Sequence, residues 1–74
     1  MNAPLSTLKA GRKGKIAYFA DDIIASKLTT MGILPGSEVN IIRKAPFKGG
    51  IYLKIDGGNI VLRDQEAAAI ILSI

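Results

Sequence analysis

Seventy-four residues with neither cysteine nor histidine, carrying a formal net charge of +4, suit one small domain near the lower limit for a self-sufficient core. The two missing residue types exclude disulfides, thiolate metal sites, a cysteine nucleophile, the commonest general base and the commonest transition-metal ligand. No run approaches the roughly 18 apolar residues of a membrane-spanning helix, and Met1–Pro4 has neither the basic start nor the apolar core of a signal peptide.

Leu5-Ser6-Thr7-Leu8 reads as a single turn with Leu5 and Leu8 toward the core. Gly11-Arg12-Lys13-Gly14 is a turn leading into a first strand, Lys15 to Phe19. Strict alternation there puts Ile16 and Tyr18 on one face and Ala17 and Phe19 on the other. Asp21 or Asp22 is placed to cap a helix ending near Met31, because a short carboxylate accepts from free amides at the positive end of the dipole. Ile24, Leu28 and Met31 then form one apolar stripe toward the core. Gly32 suits the left-handed position after the helix, and Pro35-Gly36 suits the two central positions of a type II turn.

A second strand runs from about Glu38 to Lys44, with Val39, Ile41 and Arg43 alternating with Asn40, Ile42 and Lys44. Ala45 to Gly50 is a hairpin loop. The third strand buries Ile51, Leu53 and Ile55 and exposes Tyr52, Lys54 and Asp56. Asp56-Gly57-Gly58-Asn59 is a hairpin turn, followed by a strand from Asn59 to Arg63. One helical turn at Asp64-Gln65-Glu66-Ala67 leads to a last strand, about Ala69 to Ser73. Five short strands with one inserted helix predict an all-β small barrel over residues 1–74 rather than an open sheet. Closure matters because a free edge beside Ala68-Ala69-Ile70-Ile71-Leu72 invites aggregation.

The hydrophobic fraction is 49% and the mean hydropathy +0.31. So short a chain cannot hide all of its Ile and Leu, so an exposed apolar patch is expected, for an oligomer or a docking surface. The basic excess suits nucleic acid or an anionic membrane surface, although a solubilising shell around an apolar core is the plainer explanation. Lys9, Arg12, Lys13 and Lys15 form one basic cluster; Arg43, Lys44 and Lys48 form another. Backbone-tracking cations fit a nucleic-acid-binding barrel, but base stacking needs exposed aromatics, and only Tyr18, Phe19, Phe47 and Tyr52 are present. Asp21-Asp22 reads as a cap rather than a paired-carboxylate site. Neither Gly11-Arg12-Lys13-Gly14 nor Lys48-Gly49-Gly50 has P-loop spacing, and Asp56-Gly57-Gly58-Asn59 lacks EF-hand spacing. Ser6, Thr7, Ser26, Thr29, Thr30, Ser37 and Ser73 have no histidine to activate them. The chain reads as no enzyme, with no catalytic, cofactor or metal site.

In order and spacing, several segments resemble the FeoA family of bacterial ferrous-iron uptake: Leu5, Leu8, Gly11, Gly14 and Ile16; then Leu28-Thr29-Thr30-Met31-Gly32-Ile33-Leu34-Pro35-Gly36; then Val39, Ala45-Pro46, Ile60-Val61-Leu62-Arg63, Glu66-Ala67 and Ile70-Ile71-Leu72. The resemblance covers nearly the whole chain. It implies an SH3-like barrel and a cytoplasmic accessory role: docking on, or regulating, the FeoB-type membrane transporter through its cytoplasmic G-domain region, and so resting at the inner membrane surface through that partner. A regulator of the transporter's GTPase is a further possibility it raises, and the apolar excess leaves a homo-oligomer open. A similar domain ends the DtxR-type repressors, but those need an upstream helix-turn-helix for which this chain leaves no room. Where the family often has a glycine-aspartate-proline run, this chain has Lys48-Gly49-Gly50, so the hairpin tip departs from the pattern. Family descriptions attach transition-metal binding, but carboxylates and carbonyls alone favour hard cations. Ferrous iron is therefore expected as the system's transported ion rather than a cofactor here. Leu28, Met31, Ile33 and Leu34 are the expected partner-binding set, with Leu34 the best exposed, unless all four are core.

Overall fold

The structure, a computed structural model, describes the backbone of residues Met1–Ile74 and every side chain except that of Lys48. Six strands form one antiparallel sheet: β1 (Asn2–Pro4), β2 (Lys13–Phe19), β3 (Glu38–Lys44), β4 (Ile51–Ile55), β5 (Gly58–Leu62) and β6 (Ile70–Ser73). Their spatial order is β1-β6-β2-β3-β4-β5. Helix α1 (Asp22–Thr30) follows β2, and the five-residue α2 (Asp64–Ala68) joins β5 to β6. With principal extents of 27 × 23 × 22 Å the sheet is curled, since a flat single layer would be roughly 10 Å thick. The result is the small barrel that the strand pattern predicts, of the SH3-like type that the family resemblance implies.

One core fills the concave side, built from Leu5, Ile16, Leu28, Ile33, Val39, Ile41, Leu53, Leu62, Ile70 and Leu72 among others. The alternation in β4 holds as expected, with Ile51, Leu53 and Ile55 inside. The turn at Leu5–Thr7 is a 3₁₀ helix whose Leu5 is fully buried, with Leu8 packed at the core's margin. β6 is covered on both sides by β1 and β2, so the apolar run Ile70-Ile71-Leu72 has no free edge.

The structure differs from the sequence expectations in five places. The first is β1 itself, absent from the expected five strands. Three residues containing Asn and Pro carry no strand signal of their own. Pairing of Asn2, Ala3 and Pro4 with Ser73, Leu72 and Ile71 creates the strand, and an edge position tolerates proline. Second, β2 begins at Lys13 rather than Lys15, so Gly14 lies inside it, opposite Val39. A Cβ at Gly14 would stand 2.9 Å from the Ser73 carbonyl oxygen and 2.9 Å from the Ile74 side chain. The glycine is there for close approach, not as a turn.

Third, the register shifts between Ile16 and Tyr18 on the β6 side of β2. This bulge re-aims the faces: Ile16 is buried, Tyr18 is exposed, and Phe19 packs against the core. A similar shift between Ile41 and Arg43 on β3 moves Arg43 off the face of Val39 and Ile41 and sets it opposite the exposed Tyr52. Fourth, Met31 leaves the apolar stripe. It is the C-cap, with non-helical backbone, and half of its surface is exposed. Fifth, β5 runs from Gly58 to Leu62 rather than from Asn59 to Arg63, and the helical turn expected after it is the helix α2, starting at Asp64.

Helix α1 starts and stops as its residues direct. The Asp21 carboxylate accepts from the Ile24 amide at 3.0 Å. At the other end the Ile33 amide donates to the Leu28 carbonyl and the Gly32 amide to the Thr29 carbonyl, both at 2.9 Å. That is a Schellman motif with Gly32 in the left-handed position at φ +84°. Its apolar members, Leu28 and Ile33, meet in the core.

Candidate partner-docking surface

The corner after α1 is held to the sheet by backbone bonds. The Ser37 amide donates to the Leu34 carbonyl at 3.0 Å across Pro35-Gly36, and Gly36 has φ +91°, as a type II turn requires. The Gly36 amide donates to Ile16 at 2.7 Å and the Ile16 amide donates to Ser37 at 2.9 Å. The corner is thus a fixed shelf on β2. It divides the four expected partner-binding residues into two pairs. Leu28 and Ile33 are buried in the core, whereas Met31 and Leu34 are 50% and 47% exposed.

Met31 also lines a groove of about 320 Å³ whose other walls are Gly32, Ile33, Ile55, Asp56, Gly58, Asn59 and Ile60. The helix end therefore faces β5, the last strand of the sheet. A second depression of about 370 Å³ lies around Ile42, Tyr52 and Val61, again with Asn59 and Ile60 in its lining. Arg43 sits 5.9 Å from the centroid of the Tyr52 ring, close enough for cation–π attraction. Tyr52 pairs with Val61 in register.

This second patch was not among the expected site residues. The turn residues are Asp56-Gly57, one position earlier than strands ending at Asp56 and starting at Asn59 imply, and this register sets Val61 opposite the outward-facing Tyr52. The exposure of Ile42 follows from the alternation that buries Val39 and Ile41; Arg43 had no signal, because the bulge in β3 is what sets it opposite Tyr52.

The two basic clusters meet through the β2–β3 ladder, where Lys13 pairs with Asn40 and the Ile41 amide donates to Arg12 at 2.9 Å. Lys44 is diverted to structural work. Its ammonium donates to the Ser6 and Leu8 carbonyls at 2.8 and 3.1 Å, tying β3 to the turn after β1. The side chain of Lys48 lies outside the described residues. Of the four aromatics, Phe19 packs on the core while Tyr18, Tyr52 and Phe47 are exposed. Tyr18 lies five residues along β2 from Lys13, roughly 17 Å at strand rise, and pairs toward β6 rather than β3. Tyr18 and Tyr52 therefore do not make one stacking platform.

Several carboxylates are already engaged. Asp21 caps α1, and Asp56 accepts from the Glu38 amide at 3.4 Å. Glu66 accepts from the Lys27 ammonium and, at 2.9 Å, from the Arg63 amide that opens α2. The Lys27 hydrogen bond, followed by that of the Arg63 backbone, lowers the Glu66 pKa below its ordinary value. Among the described residues no three His, Cys, Asp or Glu side chains come together as a metal-ligand group. The donor set does not fit a transition-metal centre.

The chain matches the FeoA domain family over residues 3–74. It belongs to the FeoA family. A FeoA-like protein from Clostridium acetobutylicum superimposes with a TM-score of 0.90 at 28% identity, covering 99% of this chain and 86% of that one. FeoA of Stenotrophomonas maltophilia complexed with zinc, described as a prokaryotic SH3 domain protein and a candidate ferrous iron transport activating factor, has a TM-score of 0.76 at 26% identity, covering 99% and 89%. A manganese-dependent transcriptional repressor contains the same fold, with a TM-score of 0.86 at 25% identity, covering 96% of this chain. This chain spans 40% of that repressor's length. FeoA-family membership makes the chain a member of a transport-accessory family rather than of a known enzyme family. No helix is long and apolar enough to cross a membrane.

Proposed function

We propose that this FeoA-family chain is a cytoplasmic accessory protein of ferrous iron uptake that acts by contact with the cytoplasmic G-domain region of a FeoB-type transporter, reaching the inner membrane surface through that partner. The family match over residues 3–74 carries the reading. Its support in this chain is a fixed corner that presents Leu34 and Met31 to solvent.

Substituting Leu34→Gln tests it. Leu34 is half-exposed, so the fold should keep its melting temperature, while capture of the transporter's purified cytoplasmic domain should weaken about tenfold. Unchanged capture counts against the corner as the contact.

The protein is proposed to influence iron movement without carrying iron. Anaerobic titration with ferrous iron should show no stoichiometric site tighter than micromolar, and one that tight refutes this part. The competing reading, a basic nucleic-acid-binding barrel, predicts affinity that falls steeply with salt. Docking through apolar side chains predicts a shallow dependence.

A further inference from the structure

The sheet ends on β5 with its outer edge unpaired. Ile55 and Gly58 flank the two-residue turn and are partners in register, as are Leu53 with Ile60 and Ile51 with Leu62. In such a hairpin the flanking pair exchanges both hydrogen bonds and the pattern alternates from there. Gly58, Ile60 and Leu62 therefore bond β4, while the amides and carbonyls of Asn59 and Val61 point away from the sheet. Natural sheets blunt such edges with charge, proline, bulges or a covering element. From Gly58 to Leu62 there is no charged residue and no proline, and the register is regular.

An apolar depression lies on each side of this edge. One is the groove beside Met31; the other is the patch around Tyr52 and Val61, and both include Asn59 and Ile60 in their linings. An added strand sends alternate side chains to opposite faces, so it would deliver them to the two depressions in turn. Main-chain bonds for affinity and alternating pockets for selectivity are the features of recognition by strand addition.

Charge selects the occupant. Lys13, Asn40, Lys54 and Asn59 form one cross-strand row, and Arg43, Tyr52 and Val61 form the next. Neither row holds a carboxylate, in a chain of net charge +4; the carboxylates nearby, Glu38 and Asp56, lie at the turn end, where the Glu38 amide donates to Asp56 and Asp56 closes that end of the groove beside Met31. A second copy would bring the same cations to this face, whereas an acidic segment neutralises them.

We infer that the free edge of β5 is a strand-addition site for an extended, acidic segment of a partner protein with apolar side chains at alternate positions. The inference rests on the accessory reading above and names the form in which the partner is gripped.

Hydrogen exchange tests it, with the purified cytoplasmic domain of the FeoB-type transporter as the probe. On binding, the Asn59 and Val61 amides should exchange at least about tenfold more slowly. Two substitutions should each weaken binding at least about tenfold. Val61→Pro deletes an outward amide that β4 does not use, and Met31→Asp sets a charge into the inner groove at a half-exposed position. Should the proline perturb the strand, the Met31 variant and the wild-type exchange pattern still decide. Raising salt from about 0.1 to 1 M shortens screening from about 10 to 3 Å and should slow association several-fold; a flat response overturns the acidic character. Binding that leaves both amides unprotected and both variants unaffected overturns the edge site and leaves the accessory reading standing. No binding by the wild-type chain removes both. Protection of the two amides without the probe, together with a dimeric mass, assigns the edge to a second copy and overturns the inference.

Discussion

The two edges of the sheet are built on opposite plans. β1 is three residues long, ends in Pro4, and leads directly into the 3₁₀ turn that buries Leu5. Both chain ends are sewn to it, since the Ile74 amide donates to the Met1 carbonyl at 2.9 Å. β5 is five residues long, contains neither proline nor charge, and has an apolar depression on each side. The first edge seals the aggregation-prone run of β6 from solvent. The second leaves backbone groups unpaired beside apolar surface, an arrangement that weakens a small domain's solubility unless something docks there. In this chain the stabilising and the interacting surfaces are kept on different margins of one sheet.

That contrast predicts a graded response to mutation. The largest loss should follow Leu5→Ala beside the closed edge, because a fully buried leucine is replaced by a cavity: about 2–5 kcal/mol, a large part of the roughly 4–11 kcal/mol expected for a chain of this length. Urea denaturation measures it, and a loss below 1 kcal/mol would break the assignment of that edge to stability.

Next is Gly14→Ala at the β2–β6 seam. The added methyl meets a backbone carbonyl that cannot rotate away, so about 1–3 kcal/mol is expected from overpacking. A neutral result means that the C-terminal residues give way easily and that the closed edge is looser than its bonds suggest.

Smaller still is Glu66→Gln in α2, the element that follows the open edge. Glutamine can still accept from the Arg63 amide, so the substitution isolates the ion pair with Lys27. Lys27 is 62% exposed, and solvent screening limits the effect to about 0.5 kcal/mol at neutral pH. The folded-state pKa of Glu66 lies below its ordinary 4.5. The wild-type advantage is therefore complete above that ordinary value and disappears as the pH falls through the lowered one. Urea midpoints of the two proteins measured from pH 7 down to pH 3 should converge at the acid end. A difference that grows toward acid contradicts the sign. The smallest effect should come from Val61→Thr on the open edge, within about 0.5 kcal/mol. A large loss there would show that β5 is a structural strand in the way β1 is, and the contrast between the edges would vanish.

Much of this was legible in local chemistry. Asp21 capping α1, Gly32 ending it, Pro35-Gly36 turning the chain and the alternation of Ile51, Leu53 and Ile55 each follow from one residue's conformational preference or one short period. The most specific part of the family resemblance, Leu28 to Gly36, lies there too, because a helix stop and a corner in nine residues leave little freedom. The candidate docking residues were legible only by half. Leu28, Met31, Ile33 and Leu34 are all apolar, and nothing in that composition separates the pair that enters the core from the pair left in solvent.

The sequence by itself determined where the helix α1 starts and stops, the turn at Pro35-Gly36 and the buried face of β4, because caps, turns and alternation are settled within a few residues of the chain. Only the tertiary structure decided that Asn2–Pro4 is a strand, that the bulges at Ala17 and Ile42 turn Tyr18 and Arg43 outward, and that β5 rather than β6 is left open. Those outcomes depend on pairing between residues as distant as Asn2 and Ser73, and the free energy of such a contact exists only once the partner strand is in place.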